Sequence, residues 1–201
     1  MVNYRVEVIV LPVSDVDRAK EFYTRLGFKE DIDYHGAEGF RIVQFTPPGS
    51  ATSITIGSGI TDATPGSTQG IHLTVDDIDA ARKDLVSRGV EVSEVFHDAG
   101  GVFHHGGTRD RVTGPAPEHR SYGSFLSFAD PDGNGFLLQE VTTRLPGRTS
   151  LVTYDSVAEV EQALKDAAAA HGRHEAEIGK ADPEWPAWYA AYMVKEAGVG
   201  S

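Results

Sequence analysis

The chain has no cysteine, so it can build neither a disulfide framework nor a thiolate metal site, and it has no cysteine nucleophile. Any transition-metal chemistry falls to its eight histidines. Long apolar runs are missing too. The first segment, MVNYRVEVIVLPVSD, is broken by Glu7 and passes into an acidic helix start, which fits neither a signal peptide nor a membrane span. A soluble cytoplasmic protein with no membrane partner is expected. Basic residues are outnumbered, 18 Lys and Arg against 30 Asp and Glu, and a formal charge of -12 repels phosphate backbones and anionic lipid. Nucleic acid is therefore not an expected partner. Also absent are a serine nucleophile elbow, a phosphate loop, a dinucleotide fingerprint and a paired-carboxylate signature. Gly133-Asn134-Gly135 reads as a turn.

What is present is an ordinary globular composition, 201 residues with 40% apolar and 24% charged side chains, enough for one or two cores. Its most informative feature is an internal repeat at an offset of 62 residues. LPVSDVDRAKEFYTRLGFKE, from Leu11, lies over LTVDDIDAARKDLVSRGVEV, from Leu73, with coincidences at Leu11/Leu73, Val13/Val75, Asp15/Asp77, Asp17/Asp79, Ala19/Ala81 and Gly27/Gly89. Each copy reads as an apolar strand, an acidic helix start, an amphipathic helix and a glycine that ends it.

In the first copy, alternation through Val6, Val8 and Val10 predicts a strand, and Asp15 caps a helix to about Leu26. Strands follow at Phe28 to Tyr34, Phe40 to Thr46 and Ala51 to Ile56. The second copy predicts a strand at Ile71 to Val75, a helix to about Arg88, and strands at Glu91 to Phe96, Tyr122 to Phe128 and Gly135 to Val141, the last two joined by a tight turn at Asp130 to Asn134. The fold class is α+β: two βαβββ modules, residues 1–65 and 66–148, and a C-terminal helical extension, 149–201. The 97–121 connection, rich in glycine and proline, is expected to be a functional lid or disordered. In the extension, Ser156 and Glu159 have capping-box spacing and start a helix reaching the neighbourhood of His171. A second short helix, opening near Asp182-Pro183 or Pro186, carries Trp185, Trp188, Tyr189 and Tyr192 on one stripe. An exposed stripe of that kind is an aggregation liability, which predicts packing and a homodimer.

LPVSDVDRAKEFYTRLGF, VDDIDAARKDLVSRGVEV and FADPDGNGFLLQEV together resemble the vicinal oxygen chelate superfamily of glyoxalases, extradiol dioxygenases, and fosfomycin and bleomycin resistance proteins, over roughly Val6 to Thr142. The resemblance implies curved sheets around a small-molecule cavity, formed within one chain or between two. It does not imply one reaction. It also implies one His or Glu metal ligand from the first and last strands of each module. Carried onto this chain, those positions are Val8, Ser53, Gly70 and Leu137, none a strong donor, so no cofactor is expected unless a divalent metal sits at a shifted site around His72.

One pleat further along the strands, the inward positions are Val10, Thr55, His72 and Gln139, a polar set in an apolar wall; Glu140 should face away. His72 is the expected base or polariser, with Thr55, Gln139 and Tyr122 donating hydrogen bonds, and His104, His105 and His97 the expected ligand contacts. His171 and Glu175 share a helix face without a third ligand and read as a surface pair. Two functions follow. One is a glyoxalase-like lyase or isomerase acting on a small oxygenated molecule by proton transfer, isomerisation or elimination. The other is a drug-sequestering protein of the bleomycin-resistance kind, using the cavity without chemistry. The missing metal set favours the second; the inward cluster with its histidine tips the balance toward the first.

Overall fold

The computed structural model describes residues 2, 4–101, 103–145, 154 and 156–196. The first module comprises β1 (Val8–Val10), α1 (Val16–Arg25), β2 (Lys29–His35), β3 (Arg41–Thr46) and β4 (Ser53–Ser58). The second comprises β5 (Ile71–Val75), α2 (Ile78–Ser87), β6 (Phe96–Asp98), β7 (Arg111–Thr113), β8 (Ser124–Ala129) and β9 (Gly135–Glu140). Both helices begin the same way. Asp15 and Asp77 sit at nearly identical backbone angles, φ -137, ψ 109 and φ -138, ψ 108, and their carboxylates accept from Arg18 N and Ala80 N. Both stop at a glycine in the left-handed region, Gly27 at φ 82 and Gly89 at φ 72.

The first module forms a four-stranded sheet in the order β1-β4-β3-β2 and the second a five-stranded sheet in the order β5-β9-β8-β6-β7. In each, the first strand runs parallel to the last of its module and the other pairs are antiparallel. Neither sheet closes on itself.

One face of each sheet is apolar, and the two apolar faces share a single core with both helices. Leu11, Phe22, Tyr23, Val43, Phe45 and Ile56 belong to the same buried cluster as Ile71, Leu126, Phe128, Phe136 and Leu138. α1 ties the modules together: Tyr23 packs edge-on to Phe136, and its hydroxyl donates to Asp130 at 2.8 Å. Burial, with the Asp130 carboxylate beside it, holds the Tyr23 phenol well above the ordinary tyrosine range. Asp130 also accepts from the backbone N–H of Asp132, Gly133 and Asn134, while the buried Asn134 side chain donates to Asp130 and to Pro12 O and accepts from Thr68 N. The remaining face of each sheet, here its open face, points away from that core.

Several details depart from the sequence reading. The strand expected at Glu91 to Phe96 begins only at Phe96; upstream, Val92 makes one isolated bridge to Phe128. Within the 97–121 connection, β7 pairs with β6, Phe96 with Thr113 and Asp98 with Arg111, and so adds a fifth strand. After β7, Glu118, His119 and Tyr122 hold positive φ.

Residues 143–201 form a second compact unit of two helices, α3 (Val157–Ile178) and α4 (Trp185–Glu196). Ser156 caps α3 by accepting from Glu159 N at 3.2 Å, and the helix runs two turns past His171 to stop at Gly179, φ 68. The aromatic stripe of α4 packs on α3: Trp188 stacks on His174 and meets the buried His171 edge-on, whereas Trp185 remains 53% exposed. A cavity of about 330 Å³ between the two helices is lined by Asp166, Arg173 and Tyr192 among others, with no histidine in its wall. Among the described residues, no helix is long and apolar enough to cross a membrane.

Candidate functional site

Side chains alternate along a strand, so register decides which residues share the open face of the second sheet. His72 pairs with Leu137 and Thr74 with Gln139; Phe125 pairs with Gln139 and Ser127 with Leu137; Phe96 pairs with Phe125. These residues stand on one face. They make a floor of rings: Phe96 stacks on Phe125 at 5.7 Å between centroids, and the two form a small apolar cluster with Leu137, separate from the main core. His104 arrives from the β6–β7 loop and lies over that floor, 5.0 Å from Phe125 and 6.4 Å from Phe96, both edge-on, and 6.1 Å from His72 with the rings nearly parallel. The guanidinium carbon of Arg111 lies over Phe96, 3.9 Å from its ring centroid.

Asp98 fixes the loop that delivers His104. Its buried carboxylate accepts from Gly100 N at 2.7 Å, His105 N at 2.9 Å and His105 Nδ1 at 2.6 Å. The bonds from Gly100 and His105 lower its pKa to about 2, so it is an anion throughout the physiological range. His105 thereby presents its far ring nitrogen outward, with 42% of the side chain exposed. His104 Nδ1 faces the His105 carbonyl at 2.8 Å, which assigns the proton to that nitrogen and leaves Nε2 as the acceptor in the neutral ring. His72 is held below the usual histidine value, first by partial burial and then by the repulsion of His104.

The open face of the first sheet is built differently. Asp31 is the extra residue of a bulge between Glu30 and Ile32, which turns its carboxylate onto this face. There it accepts from Thr46 Oγ1 at 2.6 Å, Gln44 Nε2 at 3.3 Å and Ser53 Oγ at 3.3 Å, and Thr55 Oγ1 reaches Gln44 Oε1 at 3.5 Å. Burial pushes the Asp31 carboxyl up, but those three hydrogen bonds outweigh it and its pKa is lowered. The network satisfies itself.

Of the residues expected from sequence, the structure brings His72, Gln139 and His104 onto one face, with His105 in the adjoining loop. The Gln139 amide donates to Tyr122 O at 3.0 Å, and the Tyr122 ring lies 6.2 Å from Phe103. Thr55, buried on the first sheet, is not among them, since the open faces of the two sheets both turn away from the shared core. His97 alternates to the other side of β6, its Nδ1 donating to Gly114 O at 2.9 Å. Glu140 does face away, as expected, and is buried at the start of α2, where it accepts from Ile78 N, Ser124 Oγ and His119 Nδ1. Phe96, Asp98, Arg111 and Asp31 were not foreseen. An alternating F-x-D in Phe96-His97-Asp98 was the available signal for the first two; nothing local marks the bulge at Asp31.

The positions that would hold a metal in the family pattern do not fit one. Val8 and Ser53 are register partners, Leu137 lies in the apolar ring cluster, and Gly70, at φ 77, has no side chain. Among the described residues, no group of three or more His, Cys, Asp or Glu is placed to hold a metal, including around His72.

A model of the Glyoxalase/Bleomycin resistance protein/Dioxygenase superfamily matches residues 5–138. Among solved structures, TnmS3, an antibiotic binding protein from Streptomyces sp. CB03234, is 32% identical; the match covers 70% of this chain and 98% of that one, with a TM-score of 0.51. A member of the glyoxalase/bleomycin resistance protein/dioxygenase superfamily from Sphaerobacter thermophilus DSM 20745 is 31% identical over 69% of this chain and 98% of that one, also with a TM-score of 0.51. No match was found among curated proteins. The second unit, 143–201, lies beyond the family match.

Proposed function

The chain belongs to the glyoxalase/bleomycin resistance protein/dioxygenase superfamily, and on that premise we propose that it binds a small planar organic molecule on the open face of its second sheet. The ring layer carries this reading: His104 lies over the buried Phe96–Phe125 pair with the exposed His72 nearly parallel beside it, and the two imidazole faces suit a flat ligand. The likeness to an antibiotic binding protein supports it. A homodimer belongs to the same proposal. Both open faces turn away from the core, and the first leaves Val8, Val10, Ile32 and Tyr34 between 38% and 51% exposed, so a second copy laid over these faces would enclose a cavity that one chain leaves open.

Sequestration is the form of the function that the site favours, because the ring floor needs no metal. A second reading, a glyoxalase-like lyase or isomerase, is favoured by one observation. His72 has its pKa lowered, so it is neutral near pH 7 and able to take a proton. Calorimetric titration with a neutral anthraquinone tests the binding site. His72→Asn and His104→Leu should each weaken binding by about tenfold, whereas His174→Asn should leave it unchanged. Unchanged affinity in both site variants would remove the proposed face. Recovery of the quinone chemically intact after long incubation with the protein supports sequestration, and its conversion in a His72-dependent manner supports the enzyme.

A further inference from the structure

The ring floor has a charged edge that stacking alone leaves unexplained. Arg111 opens β7 half-buried, its guanidinium pinned over Phe96, and its Nε is buried without a hydrogen-bond partner. Among the described residues the guanidinium forms no ion pair, although the chain carries 30 acidic side chains. Its neighbours are already engaged. Asp98, its register partner, is taken up by Gly100 and His105, and Asp110 lies within 3.5 Å of Arg109 and 3.6 Å of His105. A guanidinium stacked on a ring has its flat face fixed and its N–H edge left to donate in parallel to two oxygens. Nε is shielded from solvent, so the terminal nitrogens are the donors left to meet a ligand.

We propose that the ligand of this face is an organic anion, a planar aromatic carboxylate, sulfonate or phenolate whose rings lie against His104 and His72, above the buried Phe96–Phe125 pair, and whose charge pairs with Arg111. The inference rests on the planar-ligand reading above and adds the sign of the charge. The formal charge of -12 does not oppose it, because the Debye length at physiological ionic strength is about 8 Å and distant acidic groups are screened from the site. A free inorganic anion would satisfy Arg111 but make no use of the rings.

Three matched probes decide it with the full-length protein: naphthoate, its neutral amide naphthamide, and naphthylmethylammonium, with sulfate alone as a fourth. Naphthoate should bind about tenfold more tightly than naphthamide, the ammonium least, and sulfate should not compete at concentrations comparable to naphthoate. The preference for the acid over the amide should vanish in Arg111→Met, which keeps an apolar stem over Phe96, and survive in part in Arg111→Lys. Arg109→Met, at an exposed side chain paired with Asp110, should not alter it. Equal binding of acid and amide, or tighter binding of the ammonium, overturns the charge assignment and leaves the ring floor standing. Failure of all three aromatic probes overturns both readings. If Arg111→Met instead splits a dimer while acid and amide stay as they were, the acceptor belongs to a second copy of the chain and the proposal falls.

Discussion

The two modules start and stop their helices in the same way and differ almost completely on their open faces. Asp15 and Asp77 cap their helices with the same geometry, and Gly27 and Gly89 end them in the same region of backbone space. Yet the first open face holds a carboxylate surrounded by three donors, and the second a floor of rings edged by an arginine. Caps, stops and core positions are under a constraint that any βαβββ unit must meet, because each buries a helix on one sheet face. The other face carries no such demand and is where chemistry can diverge. The insertion between β6 and β8 is what separates the copies most: it brings β7, Arg111 and the loop bearing His104 to one face only.

The largest break in the comparison is expected at the turn before the last strand of each module. Asn134 is fully buried and its side chain bonds Pro12 O, Asp130 and Thr68 N, whereas Ser50, its counterpart in the first module, is exposed and its side chain bonds Thr52. Asn134→Ala should lower unfolding free energy by about 3 kcal/mol and Ser50→Ala by no more than about 0.5 kcal/mol, read from denaturant midpoints. Equal losses would mean that the modules do not meet through that turn.

A smaller, local effect separates Asp98 from Asp31. The Asp98 pKa is about 2, below the ordinary aspartate value of about 3.9, so the order it confers on its loop is complete above roughly pH 4 and is lost as pH falls toward 2. Hydrogen-exchange protection of the Gly100 and His105 amides, which donate to Asp98, should therefore drop over that window while β8 amides keep theirs. Asp31, whose acceptors serve side-chain donors from Thr46, Gln44 and Ser53, should show no matching loss of backbone protection. Protection at Gly100 that is indifferent to acid would separate the loop from its carboxylate.

Much of this was legible in the sequence, for identifiable reasons. The repeat, the Asp caps and the glycine stops are local signals, each tied to a backbone requirement, and they placed both helices and most strands to within about two residues. Strand alternation was enough to put His72 and Gln139 on one face. It could not tell that Thr55 belongs to a face pointing elsewhere, because the relation between two sheets depends on which of their faces share a core, and Tyr23 and Phe22 on α1 decide that through contacts with Phe136 and Phe128. The strand β7 was hidden because only Arg111-Val112-Thr113 pairs, too short a run to show a period against the glycines around it. Arg111 and Phe96 meet through that pairing, so the charged edge of the site could be seen only once the hairpin was.

The central claim, that the second open face and not the first receives the ligand, is most directly tested by the ring resonances of the histidines in protein labelled at imidazole carbon, titrated with naphthoate. His72 and His104 should shift together and saturate with the binding isotherm, while His35 on the first sheet and His171 and His174 in the C-terminal helices stay in place. Saturable shifts confined to His35, or to His171 and His174, with His72 and His104 unmoved, would contradict it.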